Sequence, residues 1–304
     1  MGEPGGLHGD AKAAGSREPM GWSERVQCPF VDAVARWGEE LGRWGIPQEI
    51  IDAAPESPWG FPTELFRRRA QSAITSDLSP SHRRSLEALP PGGSLLDVGC
   101  GGGAASLPLT TAGPPGPALI VGVDASETML AELREGAAKA GVDVQGILGT
   151  WPDVADETPQ TDVVACHHVL YNVGDLAPFV LALDAHARRR VVIEMTAAHP
   201  LSSINDLWLR FHDLERPTRP TAEDAFEALA ELGLSPQRED KHVPPVSTGF
   251  GRREDAIAFV RRRLCLPADR DEEIAEALGD RLALRDGVWS AGPARQTVVT
   301  IWWN

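Results

Sequence analysis

The stretch LLDVGCGGG, residues 95–103, places four glycines in its last five positions, directly after an apolar run that contains one aspartate. Glycine loses more conformational freedom on folding than any other residue, so glycines at this density mark a sharp turn or a close approach of the backbone to another group. The pattern predicts a buried strand over 94–98 and the start of a helix over 104–111, in spite of Pro108. A strand, a glycine turn and a helix in this order direct backbone N–H groups and the positive end of a helix dipole toward a ligand. A glycine-rich surface loop is the alternative.

Short apolar runs and helical patterns alternate after this turn. Strands are predicted at 119–124, 144–149, 161–169, 190–195 and 297–303, with a weaker one at 237–243. Helices are predicted at 126–140, 176–187, 201–214, 221–232, 252–264 and 271–282. Because parallel strands need long crossovers, this alternation predicts an α/β fold with a mostly parallel sheet and helices on both faces.

The chain divides into three segments by composition and periodicity. Residues 1–20 are rich in Gly, Ala and charge without periodicity, and we expect a disordered tail there. Residues 21–90 carry helical patterns that predict an N-terminal lid region. Residues 91–304 form the main domain, with helical cap insertions expected at about 200–220 and 250–285.

Composition and charge argue against several classes of protein. The chain of 304 residues has a formal net charge of −15 and a pI of about 5.0, whereas nucleic-acid binders need positive surfaces. The four cysteines are too scattered for a zinc ribbon and too few for a disulfide framework, which fits a reducing compartment. The N-terminus lacks the apolar core of a signal peptide, and no run approaches the length of a membrane span. We therefore expect a cytoplasmic protein with a small-molecule partner and without a nucleic-acid or membrane partner.

Two glycine motifs overlap in the turn. Gly99, Gly101 and Ala104 satisfy G-x-G-x-x-G/A, the dinucleotide fingerprint, so a nicotinamide or flavin enzyme is one interpretation. The same stretch satisfies D-x-G-x-G-x-G from Asp97 to Gly103, and here the chain resembles the class I S-adenosylmethionine (SAM)-dependent methyltransferases. The resemblance implies a Rossmann-like sheet of seven strands, mostly parallel, with the terminal strand antiparallel. It makes the main domain the SAM-binding methyltransferase domain.

The resemblance implies SAM as the cofactor and gives roles to residues along the strands. Asp97 would meet the methionine ammonium directly or through water, and Asp124 would bind both ribose hydroxyls with its two oxygens. Met129 would pack on the adenine, with Thr150 and Trp151 near its edge. The full set of expected cofactor-binding positions is Asp97, Gly99, Gly101, Gly103, Asp124, Ala125, Met129, Thr150, Trp151 and His168.

Three histidines follow predicted strands at the edge where open α/β sheets bind ligands: His167, His168 and His199. Strand alternation directs His167 and His168 to opposite sides, and the resemblance favours His168, beside the methionine moiety, as the general base. The alternative is that His168 only hydrogen-bonds SAM or a backbone carbonyl. His199 is a candidate on the substrate side. We expect no metal, because Cys166, His167 and His168 are adjacent on one strand and cannot converge on one ion.

Four further residues are candidates for the substrate side of the site: Trp59, Phe61, Asn172 and His212. Trp59 and Phe61 lie in a proline-rich segment and can cover the sulfonium cation with their aromatic faces, although packing on the core is the alternative. A solvated face or a structural pair with Glu215 explains His212 as well. The arginines at 252, 253 and 261–263 are interpreted as a solvated helix face, with an anionic-substrate site as the alternative.

These observations predict a SAM-dependent methyltransferase that transfers a methyl group to an oxygen or nitrogen of a small-molecule acceptor. A non-catalytic module that binds SAM or S-adenosylhomocysteine (SAH) is one alternative. An NAD(P)-dependent oxidoreductase is the other. The sequence leaves the acceptor and the oligomeric state open.

Overall fold

The computed structural model describes residues 32–59, 63–113, 116–243, 249–285, 287–293 and 296–304, except the side chains of residues 63–66, 68 and 69. Within these ranges the strands are β1 Ser94–Val98, β2 Leu119–Asp124, β3 Asp143–Leu148, β4 Thr161–His167, β5 Ala187–Thr196, β6 Gln237–Val243, β7 Leu282–Arg285, β8 Val288–Ala291 and β9 Gln296–Trp303. The helices are α1 Ala33–Gly42, α2 Gln48–Ala53, α3 Thr63–Thr75, α4 Pro80–Ala88, α5 Pro108–Thr111, α6 Glu127–Ala140, α7 Leu176–His186, α8 Asn205–His212, α9 Ala222–Glu231, α10 Arg253–Arg263 and α11 Asp271–Leu278.

The central sheet has seven strands in the order β3-β2-β1-β4-β5-β9-β6, and β7 and β8 form a separate pair. Paired strands among β1 to β5 are parallel, whereas β9 is antiparallel to both β5 and β6. The strand order reverses between β1 and β4, and open α/β sheets bind ligands beyond the carboxyl ends of the strands at such a point. The predicted Rossmann-like sheet, with its antiparallel terminal strand, is confirmed.

Successive residues of β1 enter different apolar clusters, as a strand covered on both faces requires. Leu96 joins the main cluster, to which α1, α7 and α9 contribute. Leu95 joins a cluster on the other face with Leu89, which follows α4, and with Trp302 of β9. Both β1 leucines are fully buried, and each such burial contributes about 1.5–3 kcal/mol. Because a slip by one residue would exchange these faces, packing fixes the register of the sheet.

Two predicted helices are shorter in the structure. Residues 101–107 form turns, and the helix after them is limited to the four residues of α5. Pro108 fits the first turn of α5 but has no N–H for an interior position. The helix predicted over 271–282 ends at Leu278, where Gly279 has a φ of 52°. Helix α4 and the pair β7–β8 were not predicted.

Helices α8, α10 and α11 lie in the regions where cap insertions were predicted, and together they form a second apolar cluster. Trp208, Leu264 and Ile274 are buried in it. In the lid region α1 packs into the main cluster through the fully buried Trp37. The predicted tail, residues 1–20, lies outside the described residues. Within the described ranges, no helix combines the length and apolar composition that crossing a bilayer requires.

Candidate active site

The glycine turn after β1 has a backbone that only glycine adopts readily. Gly99, Gly101 and Gly103 have positive φ angles of 68°, 50° and 85°. A Cβ on Gly99 would also lie 2.5 Å from Cγ2 of Val169, the residue after His168. The turn therefore packs directly against the chain that leaves β4.

Asp124 ends β2 and lies against the same turn. Its Oδ2 accepts a hydrogen bond of 2.9 Å from the N–H of Gly101, and its Oδ1 accepts one of 2.9 Å from the N–H of Ser126. Each carboxylate oxygen retains a further lone pair, which a diol hydroxyl can use. Ala125 is exposed beside it, whereas Met129 is buried.

Asp97 lies at the base of the turn with its side chain almost fully buried, at 1% exposure. Burial raises the pKa of Asp97 to about 7, a shift that the nearby Ser106 hydroxyl opposes and the charge of Asp124 increases. Its Oδ2 has no hydrogen-bond partner among the described residues. A buried carboxyl oxygen without a partner favours a ligand that brings a donor or a positive charge.

Trp151 and Thr150 follow β3 in different environments. Thr150 is exposed, but Trp151 is buried in the main cluster, where its indole N–H donates to the Phe179 carbonyl at 3.2 Å. The edge of His186 packs against the Trp151 ring at a centroid distance of 4.9 Å. The polar edge of Trp151 is therefore used within the protein, and its contact with adenine stays a prediction.

His168 does not continue β4 as predicted, because its backbone is left-handed with a φ of 59°. Such a backbone costs a residue other than glycine roughly 1–2 kcal/mol. Its side chain is 43% exposed, and Nε2 lies 3.2 Å from Oε1 of Glu194 on β5. The N–H of His168 also donates to the backbone carbonyl of Glu194, at 2.6 Å. Glu194 thus holds His168 at two points, its backbone N–H and its imidazole.

His167 points inward from the end of β4. Burial lowers the pKa of His167 to about 3, against the opposing effect of Glu194. Its Nδ1 lies 4.0 Å from Oε1 of Glu194, and its Nε2 has no hydrogen-bond partner among the described residues. A neutral, buried imidazole is poorly placed to take a proton from a bound substrate, so the geometry favours His168 of the two.

His199 follows β5 and is enclosed by aromatic rings. It stacks on Trp44 at a centroid distance of 3.7 Å and meets Tyr171 edge-on at 5.0 Å. Its Nδ1 accepts the N–H of Leu201, at 3.2 Å. Burial, followed by the charge of Arg216, lowers the pKa of His199 to about 4. The structure therefore places this predicted substrate-side residue, at 8% exposure, in a packed contact between the lid region and the sheet.

The remaining substrate-side candidates are dispersed. The ring of His212 packs on Trp208, and its Nε2 donates to the Leu264 carbonyl at 2.6 Å, so it is a structural residue of the cap cluster. Trp59 is 54% exposed. Asn172 is also exposed, and Phe61 lies outside the described residues.

The arginines of α10 are only partly a solvated face. Arg261 and Arg262 both pair with Glu56, at 3.1 Å each. Arg263 is 4% exposed, and it donates to the Pro58 carbonyl, so the interpretation as a solvated residue is wrong for it. These contacts use the arginines to hold the segment before α3 against the cap.

Sequence reasoning missed Glu194, Ser81 and His82. Ser81 of α4 donates to Oε2 of Glu194 at 2.5 Å. Nε2 of His82 donates to the carbonyl of Ala104, which follows the glycine turn, at 3.0 Å. The available signal was the charged residue inside the apolar run RVVIEM, since a buried strand carries a carboxylate only where it has partners.

The described residues fit SAM at the turn and offer no evident metal site. The glycine backbone admits a close ligand, Asp124 offers acceptors for a diol, and the buried oxygen of Asp97 offers one for a cation. Among the described residues, no group of three or more His, Cys, Asp and Glu side chains is arranged to hold a metal ion.

Comparisons with known proteins give the same family. A family model described as "Methyltransferase domain" matches residues 95–188. The ubiquinone biosynthesis O-methyltransferase of Brucella melitensis is 31% identical over 185 residues, which cover 57% of this chain and 71% of that protein. The protein of the same name from Mesorhizobium japonicum is 34% identical over 119 residues, covering 39% of this chain and 45% of its own.

Two solved structures are also similar. The YcgJ protein of Bacillus subtilis is 18% identical with a TM-score of 0.48, covering 73% of this chain and 96% of its own. Magnesium protoporphyrin IX methyltransferase of Synechocystis PCC 6803, with bound SAH, is 17% identical with a TM-score of 0.45, covering 88% and 94%. The sequence relatives and the glycine motif identify the family. The chain belongs to the class I SAM-dependent methyltransferases, and SAM is its cofactor.

Proposed function

We propose that this enzyme transfers the methyl group of SAM to a hydroxyl oxygen of a small molecule, with His168 as the general base. The observation that carries the proposal is the position of His168. It is an exposed imidazole at the carboxyl end of β4, held by a carboxylate, and its neighbour Val169 packs against the glycine turn. A base at this edge stands beside the cofactor site, where an acceptor must approach.

An oxygen acceptor suits this arrangement better than a nitrogen acceptor. A hydroxyl oxygen is a weak nucleophile until its proton is removed, whereas a neutral amine is nucleophilic without losing a proton. An organised base is therefore of most use to a hydroxyl. The sequence relatives are O-methyltransferases by name, which supports the same choice.

Besides a base, methyl transfer requires the protein only to align the acceptor and to exclude water. Held by Asp97, Asp124 and the glycine turn, SAM would supply a methyl group on a sulfonium, whose sulfur would keep the electron pair as SAH leaves. The acceptor oxygen forms the new bond to carbon, and its proton passes to His168. The surrounding residues align the acceptor and exclude water, a role that suits the lid region and the cap helices.

A methyl-transfer assay tests the proposal. The protein is incubated with SAM and a panel of small aromatic and aliphatic hydroxyl compounds, with matched amines as the comparison. We expect SAH release that depends on a hydroxyl compound, and mass spectrometry should locate the methyl group on oxygen. Turnover of the amines alone would overturn the choice of oxygen.

Calorimetry separates the remaining alternatives. We expect binding of SAM and SAH and no binding of NAD(H). Binding of SAM without turnover of any acceptor in a broad metabolite panel would favour the non-catalytic module. Identification by mass spectrometry of a ligand that copurifies with the protein would then direct the choice of acceptor.

A further inference from the structure

The structure assigns to Glu194 the role of positioning His168, and to Ser81 of α4 the role of holding Glu194. We infer that these residues fix which ring nitrogen of His168 accepts the proton. The inference rests on the proposed function, in which His168 is the base. It extends that function to a residue on β5 and to a helix that precedes the methyltransferase sheet.

Glu194 contacts His168 through both its backbone and its side chain. The backbone carbonyl accepts the N–H of His168 at 2.6 Å, and Oε1 lies 3.2 Å from Nε2 of the ring. The pairing of β4 with β5 sets Glu194 opposite His167, so the next residue, His168, begins the exit from the strand within reach of the carboxylate. The same residue therefore stabilises the left-handed turn and orients the ring.

The identity of the partner determines the tautomer of the imidazole. An ionised carboxylate only accepts hydrogen bonds, so the bond from His168 to Glu194 requires the proton on Nε2. Nδ1 then carries the lone pair. Proton transfer to Nδ1 creates an imidazolium whose charge Glu194 partly neutralises.

Glu194 remains ionised in spite of its burial. Burial by itself would raise its pKa, but His167, His168 and the Ser81 hydroxyl together lower the pKa below its usual range. Glu194 also interacts electrostatically with His82 of α4. Thr300, which pairs with Glu194 on the neighbouring strand β9, is uncharged. Glu194 therefore presents a negative charge to His168 throughout the neutral range.

Helix α4 orients the second oxygen of the carboxylate. Ser81 is fully buried and donates to Oε2 of Glu194 at 2.5 Å. Since its proton is used there, the Ser81 oxygen accepts from Ser79, whose hydroxyl lies 2.6 Å away. Both carboxylate oxygens are thus engaged, Oε2 by α4 and Oε1 by His168, and the group cannot rotate away from the ring without losing a bond.

The first helical turn of α4, which carries Ser81, also contacts the segment that follows the glycine turn. His82 accepts the N–H of Ser79 at Nδ1 and donates to the carbonyl of Ala104 through Nε2. Ser81 and His82 are adjacent in the first turn of α4. One helical turn therefore sets the position of the proposed base and braces the segment after the glycine turn.

The test compares Glu194→Gln and Ser81→Ala with Glu239→Gln. Glu239 of β6 is a matched control, because it also bonds α4, through Arg83 and Arg84, but does not contact His168. The first readout is nitrogen NMR of histidine-labelled protein without cofactor, with the His168 signal assigned by its loss in His168→Asn. We expect the Nε2–H tautomer in the unmodified chain, and a mixture of the two tautomers in Glu194→Gln, where a neutral amide replaces the carboxylate.

The second readout is steady-state kinetics. In Glu194→Gln, kcat should fall about tenfold to hundredfold, as is typical when a group that orients a functional side chain is removed. The SAM dissociation constant should stay within a few-fold. Ser81→Ala should lower kcat by roughly twofold to tenfold, the range for one hydrogen bond, and Glu239→Gln should leave kcat unchanged.

The outcomes separate the two proposals. If His168→Asn loses turnover while Glu194→Gln keeps both the turnover and the His168 tautomer of the unmodified chain, the positioning role is overturned and the base role stands. An Nδ1–H tautomer in the unmodified chain also overturns it. If His168→Asn keeps full turnover, the proposed base fails first. Should Glu194→Gln not fold, Ser81→Ala decides alone through the His168 tautomer and kcat.

Discussion

The two halves of the candidate site are built in different ways. The cofactor half consists of the glycine turn and Asp124, whose hydrogen bond to Gly101 joins residues 23 positions apart. The proposed catalytic half joins Ser81 to Glu194 across 113 positions and meets His168 on a third element. The first half depends on backbone conformation within one β-turn-β segment, and the second depends on side chains that only the packed sheet brings together.

This difference predicts that substitutions in the two halves have separable effects. Changes in the turn should abolish or weaken SAM binding, while changes around His168 should lower turnover with little effect on affinity. Substitutions at Gly101, His168 and Asp124 test this separation, and one at His199 tests a buried histidine outside both halves.

Gly101→Val should abolish measurable SAM binding. A branched side chain is strained at a φ of 50° and would stand where the backbone faces the ligand. Calorimetry gives the affinity, and circular dichroism should stay close to that of the unmodified chain. Gly141→Val is the matched control, because Gly141 has a φ of 69° at the distant end of α6 with no atom within 4 Å of its Cβ position. Loss of binding in both variants would show that backbone strain alone explains the effect.

His168→Ala should lower turnover by roughly a hundredfold to ten-thousandfold, the usual contribution of positioned proton transfer. SAM affinity should remain within a few-fold, because the cofactor half is intact. The acid limb of the pH–rate profile should also disappear. His168→Asn is the control for the left-handed backbone, which asparagine tolerates, and it should lose as much turnover. An equal fall in affinity and turnover would instead assign His168 to cofactor binding.

Asp124→Ala should weaken SAM binding about tenfold to a hundredfold, since the loss of an acceptor for buried hydroxyls costs on the order of 1–3 kcal/mol. Part of that loss would come from the turn, because the N–H of Gly101 also loses its acceptor. Ser126→Ala is the neighbouring control, as the Ser126 side chain makes no capping bond to α6. Unchanged affinity in folded Asp124→Ala protein would contradict the ribose assignment.

His199→Asn should change the pH dependence of stability rather than binding. The folded state holds the pKa of His199 at about 4, against 6.5 in the unfolded chain, so the unfolded state binds the extra proton between these values. Stability should therefore fall as the pH falls from 6.5 to about 4, and this residue accounts for about 2–3 kcal/mol of the loss.

Asparagine removes that titration and keeps an acceptor for the N–H of Leu201. The difference in unfolding free energy between the two proteins, measured by urea denaturation, should thus narrow as the pH falls from 6.5 to about 4. Asp97 has the opposite effect on the pH dependence of stability. Its pKa is raised to about 7, so the folded state favours its protonated form, and the stability that Asp97 contributes is lost as the pH rises. Because both proteins contain Asp97, its contribution cancels in the difference between their unfolding free energies. A constant difference across this range would contradict the burial of a neutral His199.

Several features were predictable because they depend on neighbouring residues. The order of strands and helices followed from hydrophobic periodicity, and the turn followed from the density of glycine beside Asp97. The resemblance to the methyltransferase family gave Asp124, which ends the apolar run LIVGVD, its predicted role at the ribose. The end of β4 was not predictable in the same way, because a left-handed His168 is stabilised by Glu194 on the next strand and the local sequence favours continued extension.

The class of fold followed from the sequence alone, and the cofactor half was predicted from it, since alternating apolar segments and a glycine turn act within about 30 residues. Only the tertiary structure decided which histidine is exposed. His167, His168 and His199 all follow predicted strands, but His167 is buried beside Glu194 and His82 on the α4 face, Trp44 and Tyr171 enclose His199, and a strained turn leaves His168 open. Tertiary structure also paired Glu194 with Ser81. Burial and long-range hydrogen bonds depend on the order of strands in the sheet and on where α4 packs, and no local pattern encodes either.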